Sequence, residues 1–168
     1  MIPHKLKKSL LFNEGRSYLG ETGEITLPKL SRKMEEWRGG GSGGPVMVDM
    51  GNDAIEFEWK VGGVARQVLG QYGEPRVDGL GLTFVGQYQS DDAGTNMMVE
   101  ISVRGRHQEI DMGGAKDGDD TEWSVKTVCS YLKIEINGVE EIEIDLLNQV
   151  FRVRGVDRDA EWRAFIGF

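Results

Sequence analysis

The sequence predicts an all-β fold with one main α-helix, in the form of a β-sandwich or barrel built from long hairpins. Two observations support this prediction. Apolar and polar residues alternate with a period of two in most segments, which is typical of half-buried strands. The 24 glycines far outnumber the 4 prolines and fall mostly at the ends of these segments, where turns are needed.

Length and composition limit the classes of function. A chain of 168 residues is long enough for one well-cored domain and short for two, so we expect a single domain over residues 1–168. The formal net charge of −8 argues against a general affinity for nucleic-acid phosphates or anionic lipids. One cysteine excludes an intrachain disulfide framework, and no stretch approaches transmembrane length. The default location is the cytoplasm of the producing cell.

The strongest pattern is a long hairpin over residues 79–106, with its turn at residues 91–94. In each of the two predicted strands apolar residues alternate with polar ones, which predicts one buried and one polar face. The buried face comprises Leu82, Phe84, Tyr88, Val99, Ile101 and Val103. An apolar face backed by a long polar face indicates a ribbon that borders water or lines a space in an assembly.

The segments before this hairpin are predicted as follows. Residues 1–8 form a basic N-terminal segment that need not be ordered in the isolated chain. Residues 10–12 and 17–19 form a small hairpin, and residues 24–30 form an extended run that Pro28 places at an edge or a bulge. Two further strands, 46–50 and 55–61, precede the one convincing helix, at residues 64–72. Its apolar stripe is Val64, Val68, Leu69 and Tyr72.

The segments after the hairpin continue the β pattern. An acidic, glycine-rich loop at residues 111–120 leads into a long strand, 122–136, whose alternation shifts at a bulge near Leu132. The predicted elements that follow are an Asn137-Gly138 turn, strands at 139–145 and 151–153, and a short helix capped by Asp157 and ending near Ile166.

Residues 31–45 form a glycine-rich segment that we interpret as an interaction loop. Its glycines cannot hold one conformation unaided, so a flexible loop is the simplest interpretation. Met34 and Trp37 argue for more, because a solvated loop has no reason to carry two large apolar side chains. The segment is predicted to need a partner.

The residue types needed for catalysis or metal binding are scarce. Cys129 lies on the apolar phase of its strand, which favours a buried side chain over a nucleophile. His4 and His107 lack metal-ligand spacing, and residues 39–44 lack the Gly-Lys-Ser/Thr ending of a phosphate-binding loop. The acidic loop lacks the ligand spacing of a calcium site. We therefore expect no enzymatic activity, no cofactor and no metal site.

Several sequence segments, which together cover essentially the whole chain, are distinctive: ITLPKLSRKMEEWRGGG at 25–41, GPV at 44–46, VDG at 77–79, RGRHQEID at 104–111, CSYLK at 129–133, EIDLLN at 143–148 and GVDR at 155–158. Together they resemble the major tail tube protein of contractile-tailed bacteriophages, to which the tube protein of R-type pyocins is related. The chain departs from this pattern at Met112, where the family is expected to have proline, which puts the conformation of the acidic loop in doubt.

The resemblance implies a β-sandwich or barrel whose copies close into six-membered rings. These rings stack into the inner tail tube, a conduit for DNA or a tape-measure protein. Implied partners are the chain itself, the sheath protein that surrounds the tube, and tape-measure, baseplate and terminator proteins. DNA is expected to pass without specific binding, and no membrane insertion is expected. Assembly would take place in the host cytoplasm, and the mature location would be the virion tail.

Within this picture, two sets of residues are expected at working surfaces. The interaction loop should contact the next ring or the neighbouring subunit through Met34, Trp37, Arg38, Gly39, Gly40, Gly41 and Pro45. The polar face of the long strands should line the channel through Thr83, Gln87, Gln89, Glu100, Ser102, Arg104, Ser124 and Lys126.

Two alternatives remain open at this point. The first is a soluble β-sandwich that binds carbohydrate or peptide on a platform of Trp37, Trp59 or Trp123. The second is the tube protein of a type VI secretion system, which shares the tube fold.

Overall fold

Twelve strands and two short helices make up the chain, and the computed structural model describes all residues from 1 to 168. In chain order they are β1 Lys5–Asn13, β2 Arg16–Ser17, β3 Thr22–Thr26, β4 Arg32–Trp37, β5 Val46–Asn52, β6 Ile55–Val61, α1 Arg66–Gln71, β7 Leu80–Gln89, β8 Asn96–Asp111, β9 Trp123–Ile136, β10 Val139–Asp145, β11 Val150–Val153, β12 Val156–Asp157 and α2 Ala160–Ile166.

Ten of the strands form one antiparallel sheet with two parts, which share the long central strands β8 and β9. The hydrogen-bonded order is β12-β11-β10-β9-β8-β7-β1-β2, and β6 joins β9 from the side while carrying β3 on its own far edge. The first half of β9 pairs with β6, and its second half pairs with β10. The sheet therefore curls around its core without closing on itself. The prediction of an all-β fold is confirmed, in its open rather than its closed-barrel form.

A β-bulge marks the point where β8 and β9 bend. Arg104 pairs with Tyr131, whereas the next residue, Gly105, pairs with Cys129, which leaves Ser130 as the extra residue. The bulge predicted near Leu132 is thus confirmed at Ser130. Only glycine fits at position 105, because a Cβ atom there would collide with the carbonyl oxygen of Val128.

The core lies inside the curl. Its largest fully buried side chains are Trp59, Tyr18, Phe57, Phe84, Leu11, Leu82 and Leu132. Val99, predicted on the buried face of the long hairpin, is half-buried and packs against this cluster, as Ile134 does. The long hairpin occurs as predicted, with β7 and β8 paired from Leu80 opposite Gly105 to Gln89 opposite Asn96.

The main helix is shorter than predicted, and it buries different residues. Of the predicted stripe only Val68 is buried, while Val64, Leu69 and Tyr72 are exposed. Ala65, at the N-cap position, is buried in their place. The six-residue helix is too short to be stable through propensity. Val68 and Ala65 join it to the hydrophobic core, and hydrogen bonds from Tyr18 and His107 to Gln67 and Gln71 take the place of the predicted apolar stripe.

At both ends of the chain the structure differs from the prediction. Residues 5–8 of the basic N-terminal segment are the first half of β1, and Lys5 pairs with Gln89. At the other end, Asp157 does not cap the last helix. The N-cap is Asp159, and Asp157 instead accepts hydrogen bonds from Arg163.

Residues 32–37 of the predicted loop form a strand that the sequence analysis missed, because charged residues interrupt its alternation. This strand, β4, pairs with β5 as a separate two-stranded sheet. Pro28 lies outside β3, which ends at Thr26 and has its irregularity between Thr22 and Ile25.

Candidate assembly surfaces

The predicted channel residues of β7 and β8 lie on one side of the sheet, turned away from the core. We call the core-averted side of β1, β7, β8 up to Arg104, β9 from Tyr131 onward, and β10 the outward face. Directly paired residues in antiparallel strands point to the same side, so Thr83, Ser102 and Lys133 form one row across this face. Glu100 and Glu135 form the next row. The structure therefore brings Thr83, Gln87, Gln89, Glu100, Ser102 and Arg104 together on one surface.

Ser124 and Lys126 lie elsewhere, beyond the bend of β9. Both belong to the half of β9 that pairs with β6. Lys126 Nζ is 3.5 Å from a carboxylate oxygen of Glu56 on β6. They share the core-averted side of β9, but the bulge separates them from the other six predicted channel residues.

Charged residues of β9 and β10 lie close together on the outward face. Glu143 lies directly opposite Lys133, and Glu135, two residues further along β9, is 2.8 Å from the Lys133 ammonium. The hydroxyl of Tyr131 donates to Glu143 over 2.8 Å, and burial together with this carboxylate raises the pKa of Tyr131. Arg104 forms no ion pair with Glu100 or any other carboxylate, since its row neighbours are Gly81 and Tyr131.

β4, β5 and the turn between them project as a hairpin that we call the arm. At its base the guanidinium of Arg32 lies 4.9 Å above the ring of Phe151 on β11, which links the arm to the body, and donates to both carboxylate oxygens of Asp49 within the arm. The rest of the arm has no cover, and Trp37 is 64% exposed. On one side it carries Trp37, Val46, Val48 and Met50, and on the other Met34 and Met47.

An isolated two-stranded hairpin is marginally stable in water, and this one exposes apolar groups on both sides. All the predicted contact residues lie on the arm: Met34 and Trp37 on β4, and Arg38, Gly39, Gly40, Gly41 and Pro45 in the turn.

A buried polar network attaches α1 to the sheet. His107 Nδ1 is 2.8 Å from the hydroxyl of Thr127, and Nε2 is 2.9 Å from Oε1 of Gln71 on the helix. Gln71 and Asn13 exchange two hydrogen bonds, of 2.8 and 2.9 Å. Gln67 accepts from the hydroxyl of Tyr18. Burial lowers the pKa of His107 to about 4, so the imidazole is neutral at physiological pH.

Comparison with known proteins identifies the family. The family model described as phage tail tube protein FII matches residues 3–167. The chain is 43% identical over 169 residues to the tail tube protein of Escherichia phage P2, covering 99% of this chain and 98% of that one. It is 39% identical over 156 residues to the major tail tube protein of Serratia phage KSP20, covering 92% of this chain and 90% of that one. The chain belongs to the phage tail tube protein family.

The fold of this tail tube protein also occurs in contractile injection systems. A cryo-EM structure of the sheath/tube terminator of an extracellular contractile injection system, PVC, matches with a TM-score of 0.61 at 10% identity, covering 80% of this chain and 98% of that one. The PVC sheath-tube complex matches with a TM-score of 0.59 at 8% identity, covering 79% and 91%. At such identities the likeness concerns the fold.

The tail tube protein has a second exposed apolar surface that the sequence analysis missed. On α2, the side chains of Trp162 and Phe165 stack with ring centroids 6.2 Å apart, and Phe165 is 84% exposed. Trp162 Nε1 donates to Gln149, which fixes the helix in place. The i, i+3, i+4 spacing of Trp162, Phe165 and Ile166 was the signal available in the sequence.

The remaining candidates for chemistry are core residues. Burial raises the pKa of the Cys129 thiol to about 12, with a smaller contribution from Glu56, so the thiolate is scarce at neutral pH. Of the three tryptophans named for the ligand platform of the first alternative, Trp59 and Trp123 are buried and only Trp37 is accessible. No three His, Cys, Asp or Glu side chains converge as metal ligands would. Neither helix is long and apolar enough to cross a membrane.

Proposed function

We propose that this tail tube protein forms closed six-membered rings that stack into the inner tube of a contractile tail. The outward face lines the channel, and DNA passes through it during ejection. The observation that carries this proposal is the outward face itself. It extends over long paired strands, yet its residues are mostly small, polar or charged, as a water-filled channel requires.

Membership of the family supports a structural role rather than an enzymatic one, and the buried Cys129 and His107 are consistent with that role. Closure into a ring also has a physical reason. Open sheet edges are a hazard in a free subunit, and a closed rotational assembly pairs them with one another.

The arm is the element that connects rings or neighbouring subunits. Burial of Trp37 and Met34 against another copy would contribute about 2 kcal/mol each, which offsets part of the entropic cost of ordering the glycine-rich turn. Because both sides of the arm carry apolar groups, we place it between two surfaces of neighbouring copies rather than on one.

The proposed partners follow from the same arrangement. A sheath protein surrounds the tube, by analogy with the PVC injection system, which contains a sheath-tube complex. Terminator and baseplate proteins meet the ends of the tube, and a tape-measure protein occupies the channel before DNA. Assembly takes place in the host cytoplasm, and the mature location is the virion tail.

Negative-stain electron microscopy of the purified, concentrated protein tests the proposal. We expect rings with sixfold symmetry and stacks of such rings, and sedimentation velocity should show a concentration-dependent shift to large species. A protein that sediments as a monomer at every concentration and forms neither rings nor tubes would refute it.

A further inference from the structure

Two edges of the curled sheet have no partner strand at the same level. On one side, β1 pairs with β2 only at Phe12 and Asn13, so the outer edge of residues 5–10 is free. On the other side, β11 covers β10 only from Ile142 onward, so the outer edge of Val139 and Glu140 is free. The register joins these edges, because one row runs from Leu10 on β1 across three strands to Glu140 on β10.

The number of strands between the edges fixes the direction of any junction. The order β1-β7-β8-β9-β10 contains five strands, and each neighbouring pair is antiparallel. Five is odd, so β1 and β10 run in the same direction. In a ring whose copies are related by rotation about an axis along the strands, these edges meet as parallel strands.

The free edge of β1 is cationic. Lys5 and Lys8 pair with Gln89 and Gln87, which puts both lysines on the outward face. Both are exposed and form no ion pair, whereas Lys7 between them is 2.9 Å from Asp91. Strand edges carrying lysine resist pairing with an arbitrary strand, since the charge must be matched.

The free edge of β10 is anionic. Glu140 lies opposite Glu135 on the outward face and forms no ion pair. The next outward residue along β10, Glu143, is paired with Arg152 at 2.7 Å. The hydrogen bond to Glu135, followed by the charges of Glu140 and Glu143, raises the pKa of the one lysine among them, Lys133. With Glu100 in the same row, this edge carries an excess of negative charge.

We propose that the cationic β1 edge of one copy pairs with the anionic β10 edge of the next, which selects this strand junction and sets its register. A stagger of two residues places Lys8 of one copy beside Glu140 of the next and keeps both on the outward face, since an even shift preserves facing. The inference rests on the proposed function. It adds which edges meet, in which direction, and through which charges.

A charge exchange tests the junction. Lys8→Glu should raise the protein concentration needed for tube formation roughly tenfold, because a matched pair becomes a repulsive one. Adding Glu140→Lys to the same chain should restore assembly, since the two exchanged charges again have opposite signs. Lys29→Glu is the matched control, as Lys29 is exposed, unpaired and outside every strand, and it should assemble like the wild type.

Cross-linking keeps the test decisive if a charge variant is unstable. Lys8→Cys with Glu140→Cys should form disulfides between copies within assembled tubes, giving closed ladders of subunits on non-reducing gels. The native Cys129 is buried and should not contribute. Tubes of normal yield from Lys8→Glu, or no cross-link within assembled tubes, would overturn the junction and leave the proposed function intact. A wild-type protein that never assembles would overturn both.

Discussion

His107 Nε2 lies 2.9 Å from Oε1 of Gln71, so a single hydrogen bond from β8 holds the inner side of the main helix. The same amide group exchanges two hydrogen bonds with Asn13 on β1. These contacts are satisfied by the neutral imidazole, with the proton on Nε2 and Thr127 donating to Nδ1. Three elements far apart in sequence are therefore coupled to the protonation state of one residue.

We predict that the free energy of unfolding falls as pH decreases from about 6.5 to about 4. The pKa of His107 is lowered to about 4 in the folded protein, so between these values the unfolded chain binds a proton that the folded chain does not. Unfolding is then favoured by about 1.4 kcal/mol for each pH unit, on the order of 3 kcal/mol in total, and the effect levels off below about pH 4. Urea unfolding at a series of pH values measures it.

The variant His107→Asn should be less stable at pH 7 and should lose most of this slope. His4→Gln is the control, because His4 bonds only to Thr95 at the surface, and its slope should match the wild type. An unchanged slope in His107→Asn would mean that other groups cause the pH dependence.

Gly105→Ala should destabilise the protein by about 1–3 kcal/mol or prevent folding, since its Cβ has no room beside the Val128 carbonyl and the bulge must shift. Thermal unfolding followed by circular dichroism measures the change. Gly114→Ala is the matched control, because a Cβ there meets no atom within 4 Å. Equal melting temperatures for the two variants would contradict the close approach described for the bulge.

Trp37→Ala should leave folding intact and abolish assembly. Trp37 is 64% exposed in the free subunit, so its removal takes little from the core, but it deletes the largest apolar group on the arm. Deletion of residues 39–44 should act in the same direction, with circular dichroism close to that of the wild type. Pelleting assays with electron microscopy provide the readout. Normal tubes from both variants would exclude the arm from the contacts between copies.

The main strands were predictable from sequence because a single buried face imposes a period of two, as Leu82, Phe84, Ile101 and Val103 show. The helix stripe was predicted wrongly, because α1 turns only Val68 into the core and presents Gln67 and Gln71 to polar groups of the body. Strand β4 was missed because it has no buried face in the subunit, so no alternation was imposed on it. The free edges could not be predicted either, since they depend on which strands pair.

The charge of the channel should control how fast DNA is ejected. Gln87 and Gln89 lie on the outward face beside Lys8 and Lys5, and replacing both by lysine would make a cluster of four cations in each copy. Each cation paired with a DNA phosphate adds affinity through counterion release, and even ~0.5 kcal/mol per contact sums along a tube of many rings. The added repulsion within the sheet costs only about 0.2–1 kcal/mol per pair, so the fold should persist.

Phage carrying Gln87→Lys and Gln89→Lys should assemble tails and package DNA but eject it slowly, most of all at low salt. Gln87→Glu with Gln89→Glu, which changes the charge without attracting phosphate, should eject at the wild-type rate. If the lysine variant ejects as fast as the wild type at low ionic strength, these two side chains do not face the DNA.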